Sequence, residues 1–518
     1  MEDRRVVVVG GGLAGLTAAC ELADRGLPVV LVERRPFLGG RAFSFPHRPS
    51  GGEVDNGQHV FLKCCTEYIR FLDRLGVSGK TCLQPRLCVP VVDPRRGVSV
   101  LEGSSLPAPF HLLPSFLRFR HLSPAEKARV VYAMLVARFT DRSKSNELDA
   151  ISFYRWLKAH GQGERAIDRF WNLIVVATLN DDVRRVSADL ALMVFQEGFL
   201  KRADGANVGY ATVGLTTLIA EAAIRHIEER GGRIALGQVA REILCEGEHV
   251  TGVRLADGDV LQGRFYVCAL PAHEMLALLP PALRDVPFFS RAAGLGTSPI
   301  VNIHLWYDRP VMDFPFAAFV DSDLQWVFNK SKMWGLAGPG QYLDISLSGA
   351  GQYIDQPNQA LAERFTRELQ RVLPRARQAR LERWLVMKQP RATFAAAPGS
   401  AKHRLPSRTP VANLWLAGDW TATGWPATME SAVRSGLACA RDILCGTTMR
   451  KGGEATGSSV AVGAQPSGTN HASSQPRHAG VLGARHEDQE GQSPRLLLWR
   501  PAGHPSGGKG GGGTRAHR

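Results

Sequence analysis

The first apolar positions of the chain run without a break from Val6 to Val9 and stop at three glycines. A short unbroken apolar run that ends in a turn predicts a strand buried on both faces. Leu13 to Ala23, rich in Ala and Leu, predicts a helix, and residues 28–32 (PVVLV) predict a second strand. Together they make a βαβ unit of about 30 residues. Leu215 to Glu229 predicts another helix, followed to residue 274 by short alternating strands between Gly and Asp-Gly turns. PIVNIHLWY (299–307) predicts a strand and 357–374 an amphipathic helix. A strand over 411–417 then leads through a Gly-Asp turn into a helix from about Thr428.

The pattern changes over residues 106–140. Large apolar residues are mixed with Arg118, Arg120, Lys127, Arg129 and Arg138 and with one acid, Glu126. Prolines 107, 109, 114 and 124 divide the stretch into short helices. Two compatible roles fit: a helical cover over a cleft, and a surface that dips into a membrane with its basic residues at the headgroups.

Length adds that 518 residues exceed one ordinary domain. The formal charge of +15 is uneven, because residues 446–518 hold 9 Lys+Arg against 4 Asp+Glu. The remaining excess suits an anionic membrane surface and is weak as a nucleic-acid signal, so no nucleic-acid partner is expected. The tail holds 16 glycines in 73 residues and predicts disorder. Nine scattered cysteines with no Cys-x-x-Cys pair suit reduced thiols inside a cell. Val6–Val9 is too short for the apolar region of a signal peptide, and no stretch approaches the ~20 apolar residues that span a bilayer. Neither HExxH nor Gly-x-Ser-x-Gly occurs, and no spacing points to a metal.

The chemistry starts at VVVVGGGLAGLTAA. Gly10, Gly12 and Gly15 make a GxGxxG directly after a strand and opening a helix. Gly10 allows the tight turn, Gly12 lets the backbone approach a pyrophosphate, and Gly15 lets helix and strand pack closely. The backbone at Leu13 and Ala14 presents the helix N-terminus to the phosphates. Glu33 ends the second strand, where an acid accepts hydrogen bonds from a ribose 2′-hydroxyl and disfavours a 2′-phosphate. This is a dinucleotide site.

RRPFLGGR follows, with Arg34, Gly39, Gly40 and Arg41, a second glycine turn suited to a ligand that continues past the adenosine. Near the other end lies LWLAGDWTATGWPATMESAVRSG (414–436). The combination resembles the flavin amine oxidase and phytoene desaturase superfamily over roughly residues 5–445. The resemblance implies FAD as cofactor and an α/β fold, with a Rossmann-like (GR2-type) FAD domain beside a mixed α+β substrate domain. It implies FAD pieces at 1–90, 206–275 and 401–445 and substrate-domain pieces at 91–205 and 276–400. It places Val239 at the adenine, Gly418 and Asp419 at the ribityl chain, and the backbone near Thr428 and Met429 at the flavin pyrimidine. A helix N-terminus there stabilises the negative charge of reduced flavin.

VDNGQHV, RATFAAAPG (391–399) and the C-terminal motif look narrower still, similar to hydroxysqualene dehydroxylase, the squalene-associated flavoenzyme family of hopanoid pathways. That resemblance implies reduction of hydroxysqualene to squalene by reduced FAD. It also implies an isoprenoid substrate, a peripheral position on the inner face of the cell membrane, and other squalene-pathway enzymes as partners. The rivals are a phytoene or carotenoid desaturase, a flavin amine oxidase, and a non-catalytic FAD-binding scaffold.

GEVDNGQHVF (52–61) is then expected beside the flavin ring. Asp55 before Asn-Gly suits an Asx-type turn that holds its own loop, and Gly57 allows close approach. His59 titrates near neutral pH when unperturbed. Two roles stay open for it: proton donor to the departing oxygen, or a hydrogen-bonded structural histidine. Asp181, Asp182 and Lys388 are further candidates without geometry.

Overall fold

A computed structural model describes residues 4–452. The disorder predicted for residues 446–518 is not seen over 446–452, which continue the helix Met429–Gly452, and the rest of that tail falls outside the described residues.

Five parallel strands form the first sheet, in the order Arg233–Leu236, Val29–Glu33, Val6–Val9, Phe265–Cys268, Leu414–Leu416. Val6 to Val9 lie at the centre and are buried throughout, as an unbroken apolar run requires. The helix Leu13–Asp24 covers one face and packs against the helix Met429–Gly452. Their approach depends on Gly436, where a Cβ would stand 2.5 Å from the Ala14 carbonyl oxygen. Sequence-distant pieces thus converge on one sheet, and the C-terminal ends of its strands carry the glycine turn, Glu33 and the 418–419 turn.

The second sheet has seven strands, in the order Leu381–Phe394, Thr297–Tyr307, Gln341–Ser348, Trp326–Asn329, Phe316–Phe319, Cys88–Asp93, Gly97–Glu102. Its two middle faces differ. Val301, Ile303 and Leu305 pair in register with Leu347, Ile345 and Leu343, and the helix Asn358–Val372 seals this layer with Leu361, Phe365 and Leu369. The opposite face carries Asn302, His304 and Asp344, all buried. Period-2 alternation sends every second residue to that face.

Helices fill residues 113–200. Pro124 begins the helix Pro124–Phe139, and Ser123 with Glu126 closes a capping box at its start. The predicted helix over 215–229 opens irregularly, with a π-turn at Thr216–Ala220 before Glu221–Glu228. The cause is local. Leu215 N–H donates to Asp55 and Thr216 Oγ1 donates to the Ser44 carbonyl, so the first turn is tied to the Ser44–His47/Gly52–Asp55 hairpin. No helix among the described residues is long and apolar enough to cross a membrane.

Candidate active site

The two glycine turns lock together. Gly39 N–H donates to the Gly11 carbonyl (2.9 Å), and Gly12 and Gly39 form a β-bridge. Gly15 permits the helix to meet the strand, since a Cβ there would lie 2.0 Å from the Gly10 carbonyl oxygen. Gly40 holds φ +60°, and its Cβ would lie 2.8 Å from Gly12 Cα. Gly12 is different: its Cβ would meet only Gly40 Cα, at 3.8 Å, and would otherwise project into the open groove. No side chain caps the helix at Gly12, so the first N–H groups, at Leu13, Ala14 and Gly15, are left for an anion. This cradle fits a pyrophosphate.

Glu33 is buried at the strand end. Its Oε2 accepts Gly11 N–H (2.8 Å) and its Oε1 accepts Arg35 N–H (3.0 Å), which fixes the carboxylate and leaves lone pairs for a ribose diol. Arg35 donates to the Gly40 carbonyl, whereas Arg34 turns outward to Glu274 (2.9 Å). The Val239 carbonyl accepts Ala256 N–H (2.8 Å), which fixes this backbone beside the strand end of Glu33.

Arg41 bridges the two halves of the cleft. It donates to the Ala392 carbonyl (2.8 Å) and forms an ion pair with Asp419. The 418–421 turn is held from beneath by Arg404, a buried residue the sequence did not single out. Its guanidinium donates to the carbonyls of Thr421 (2.6 Å), Trp420 (3.2 Å) and Asp419 (3.3 Å). Burial lowers its pKa to about 10. Thr428 Oγ1 accepts Ser431 N–H (3.2 Å) as an N-cap, so the backbone at Met429 opens the last helix toward the cleft. A cavity of ≈ 370 Å³ opens beside this pair, with Arg41, Arg391, His273, Asp419 and Trp420 in its wall. Ala272, Leu276, Ala292, Leu295 and Phe394 make much of the remaining wall apolar.

The 55–59 turn departs from expectation at Asp55. Its side chain does not hold its own loop: Oδ1 accepts Leu215 N–H (3.0 Å) and Oδ2 pairs with Lys330 Nζ (2.7 Å). The reason is competition. A buried ammonium 275 residues away is a stronger partner than a local N–H. Asn56 does the local work, donating to the Arg41 carbonyl (2.8 Å) and accepting Phe43 N–H (3.3 Å), which joins this turn to the second glycine turn. Gly57 lies against Asn302, where a Cβ would be 2.5 Å from Oδ1. Close approach is thus needed to the protein itself.

Lys330 was not foreseen. Its ammonium also donates to Gln58 Oε1 (2.9 Å) and lies 3.9 Å from the centre of the Trp334 ring. Next to it, Asn302 donates to both oxygens of Asp344 (3.1 and 3.3 Å), and Gln58 N–H hydrogen-bonds the same carboxylate. Burial pushes the Asp344 carboxyl up to about 7, against the lowering by those bonds and by Lys330. His304, bonded to the Tyr342 hydroxyl (2.8 Å), is pushed down to about 3 by burial and then by Lys330.

His59 is half-buried, with Nδ1 2.9 Å from the Gly57 carbonyl oxygen. A carbonyl only accepts, so the proton sits on Nδ1 and Nε2 is an acceptor. Burial lowers the imidazole pKa, which favours this neutral form. That bond is the one its reading as a hydrogen-bonded structural histidine calls for. Asp181 pairs with Arg185, Asp182 accepts from Asn172, and Lys388 donates to the Gln356 carbonyl, all away from this turn. Among the described residues no cluster of three His, Cys, Asp or Glu could hold a metal.

Comparison with known proteins agrees with this geometry. The chain is 26% identical over 457 residues to 15-cis-phytoene desaturase of Synechococcus elongatus, covering 85% of this chain and 96% of that protein. It is 27% identical over 481 residues to a probable zeta-carotene desaturase of the same organism, covering 85% and 98%. In fold it is similar to an oxidoreductase from Methanosarcina mazei (TM-score 0.69, 17% identity, 84% of this chain and 100% of that one). It is also similar to putrescine oxidase (TM-score 0.65, 17% identity, 86% and 99%). The model of the flavin containing amine oxidoreductases matches residues 13–444, and the chain belongs to that family, with FAD as its cofactor.

Proposed function

We propose that this flavin-dependent oxidoreductase acts on a long isoprenoid and that its reaction is the reduction of hydroxysqualene to squalene. The desaturase relatives, named for phytoene and zeta-carotene, support the isoprenoid class. The observation that carries the reductive reading is the set of proton-bearing groups behind the 55–59 turn: the Lys330 ammonium and the Asp344 carboxyl, whose pKa of about 7 leaves much of it protonated at neutral pH.

The reaction breaks one C–O bond. The carbon gains a hydride, and the departing oxygen gains a proton and leaves as water. Reduced FAD, when bound, supplies the hydride. The chain's residues do the rest. Gly12 and the N–H groups of Leu13 to Gly15 would hold the pyrophosphate, Glu33 the ribose, and Asp419 with Arg41 the middle of the cofactor. Lys330 and Asp55 fix Gln58, whose backbone N–H donates to the Asp344 carboxyl, the group that holds the proton.

The desaturase relatives also favour a second reading, in which the same site oxidises a polyene. Anaerobic photoreduction of the flavin followed by hydroxysqualene tests both. Squalene appearing together with reoxidised flavin supports reduction. Phytoene-dependent bleaching of oxidised flavin, with no squalene formed, supports desaturation.

A further inference from the structure

Exposed large apolar side chains are concentrated in one region. Of twelve such residues among those described, eight lie between Val98 and Phe139. The helix Pro124–Phe139 shows why this is unusual. Val130, Ala133 and Ala137 face the core, as an amphipathic surface helix requires. Yet Ala128, Tyr132, Leu135 and Phe139, at i, i+4, i+7 and i+11, form a second apolar stripe toward solvent. Phe139 is 80% exposed, and Leu117 at the end of the neighbouring helix Leu113–Arg118 is 60% exposed. That shorter helix packs on both the strand Gly97–Glu102 and the helix Pro124–Phe139, so these exposed residues sit on adjoining elements.

Cations surround it. Residues 94–140 hold seven Lys or Arg and two acids. Glu126 is committed to the capping box, and Lys127 is tied to the Leu117 carbonyl (2.6 Å). Arg118, Arg120 and Arg129 are exposed and form no ion pair among the described residues, and Arg138 lies over the Phe139 ring. Two copies meeting through this face would bring two equally basic patches together, because a two-fold contact sets one patch against its own copy. An apolar stripe with cations at its edges instead matches the boundary between anionic headgroups and acyl chains.

We infer that residues 98–139 are a docking face for an anionic lipid bilayer. Leu117, Tyr132, Leu135 and Phe139 enter the acyl boundary, and Arg118, Arg120, Arg129 and Arg138 meet the headgroup phosphates. The inference stands on the surface alone and holds whichever substrate the site takes.

Co-sedimentation of the FAD-loaded full chain with vesicles tests it, using phosphatidylcholine alone and an equal mixture with phosphatidylglycerol. Wild type is expected to partition onto the mixed vesicles, less at high salt and less onto phosphatidylcholine alone. Each arginine removed lowers partition about fivefold, so R118E/R120E/R129E loses the preference for the anionic lipid. L135S/F139S weakens partition onto both compositions. Flavin absorbance reports folding in each variant. Failure of wild type to sediment with the mixed vesicles overturns the inference without any variant. Variants that keep flavin and sediment like wild type also overturn it. So does a dimer in sedimentation velocity that F139S dissolves, which would make the face an interface between copies.

Discussion

Lys330 Nζ stands 2.7 Å from Asp55 Oδ2, and both side chains are almost fully buried. The pair joins the strand-to-helix corner at 329–330 to the end of the hairpin that leads into the 55–59 turn. Breaking it from one side leaves a charge without its partner in the interior. K330M is therefore expected to destabilise the protein by about 3–5 kcal/mol. D55N/K330M, which removes both charges, should recover most of that loss. Urea unfolding of the four-member cycle measures it, and a loss in the double variant equal to the sum of the two single losses would mean the pair is not coupled.

Asp344 makes stability depend on pH in a definite direction. Its folded pKa of about 7 lies above the ordinary 3.8, so between those values the native state holds a proton that the unfolded chain releases. Its contribution is complete at low pH and is lost as pH rises through about 7. His304 acts in reverse. Its folded value of about 3 lies below 6.5, so its contribution is lost as pH falls. Asp55, Lys330 and Tyr342 are the other ionisable neighbours, with His47 acting on His304. D344N removes only the first effect. Relative to wild type, the variant should be more stable at pH 8 than at pH 5 by about 2–3 kcal/mol. Parallel stability curves for the two proteins would show that Asp344 holds no such proton.

The cofactor cradle was legible in the sequence because its determinants are local. Gly10, Gly12, Gly15 and Glu33 lie within one βαβ unit, and spacing alone fixes their geometry. The acid cluster was not legible as a site, because Asp55 and Lys330 are 275 residues apart and meet only through two sheets. A signal was nonetheless present. In PIVNIHLWY the polar residues Asn302 and His304 occupy alternate positions of an otherwise apolar strand, and Asp344 does the same in QYLDISLS. Polar residues on one face of a buried strand must find partners there. Lys330, directly after the buried strand Trp326–Asn329, marks the same need. Asp55 was misread because Asp-Asn-Gly is a strong local turn pattern, and the buried ammonium outcompeted it.

Two glycines of one motif should fail in different ways. A side chain at Gly12 meets only Gly40 Cα and fills the groove, whereas one at Gly15 collides with the Gly10 carbonyl. G12V is expected to fold with a melting temperature near that of the cofactor-free wild type and to purify without flavin absorbance. G15V should fail to yield soluble protein, because the helix cannot seat on the sheet. A yellow G12V protein would place the pyrophosphate elsewhere.

His59 and Asp344 make opposite claims on the reaction's acid. With its proton committed to the Gly57 carbonyl, the neutral imidazole has none to give from Nε2. H59N keeps a donor for that carbonyl and should form squalene from hydroxysqualene at a rate within about threefold of wild type, since one neutral hydrogen bond replaces another. The photoreduced wild type should instead lose activity as pH rises through about 7, where Asp344 gives up its proton. D344N should abolish that limb of the profile. A limb that survives in D344N and disappears in H59N would return the acid to the imidazole, and would require a tautomer that the Gly57 carbonyl does not favour.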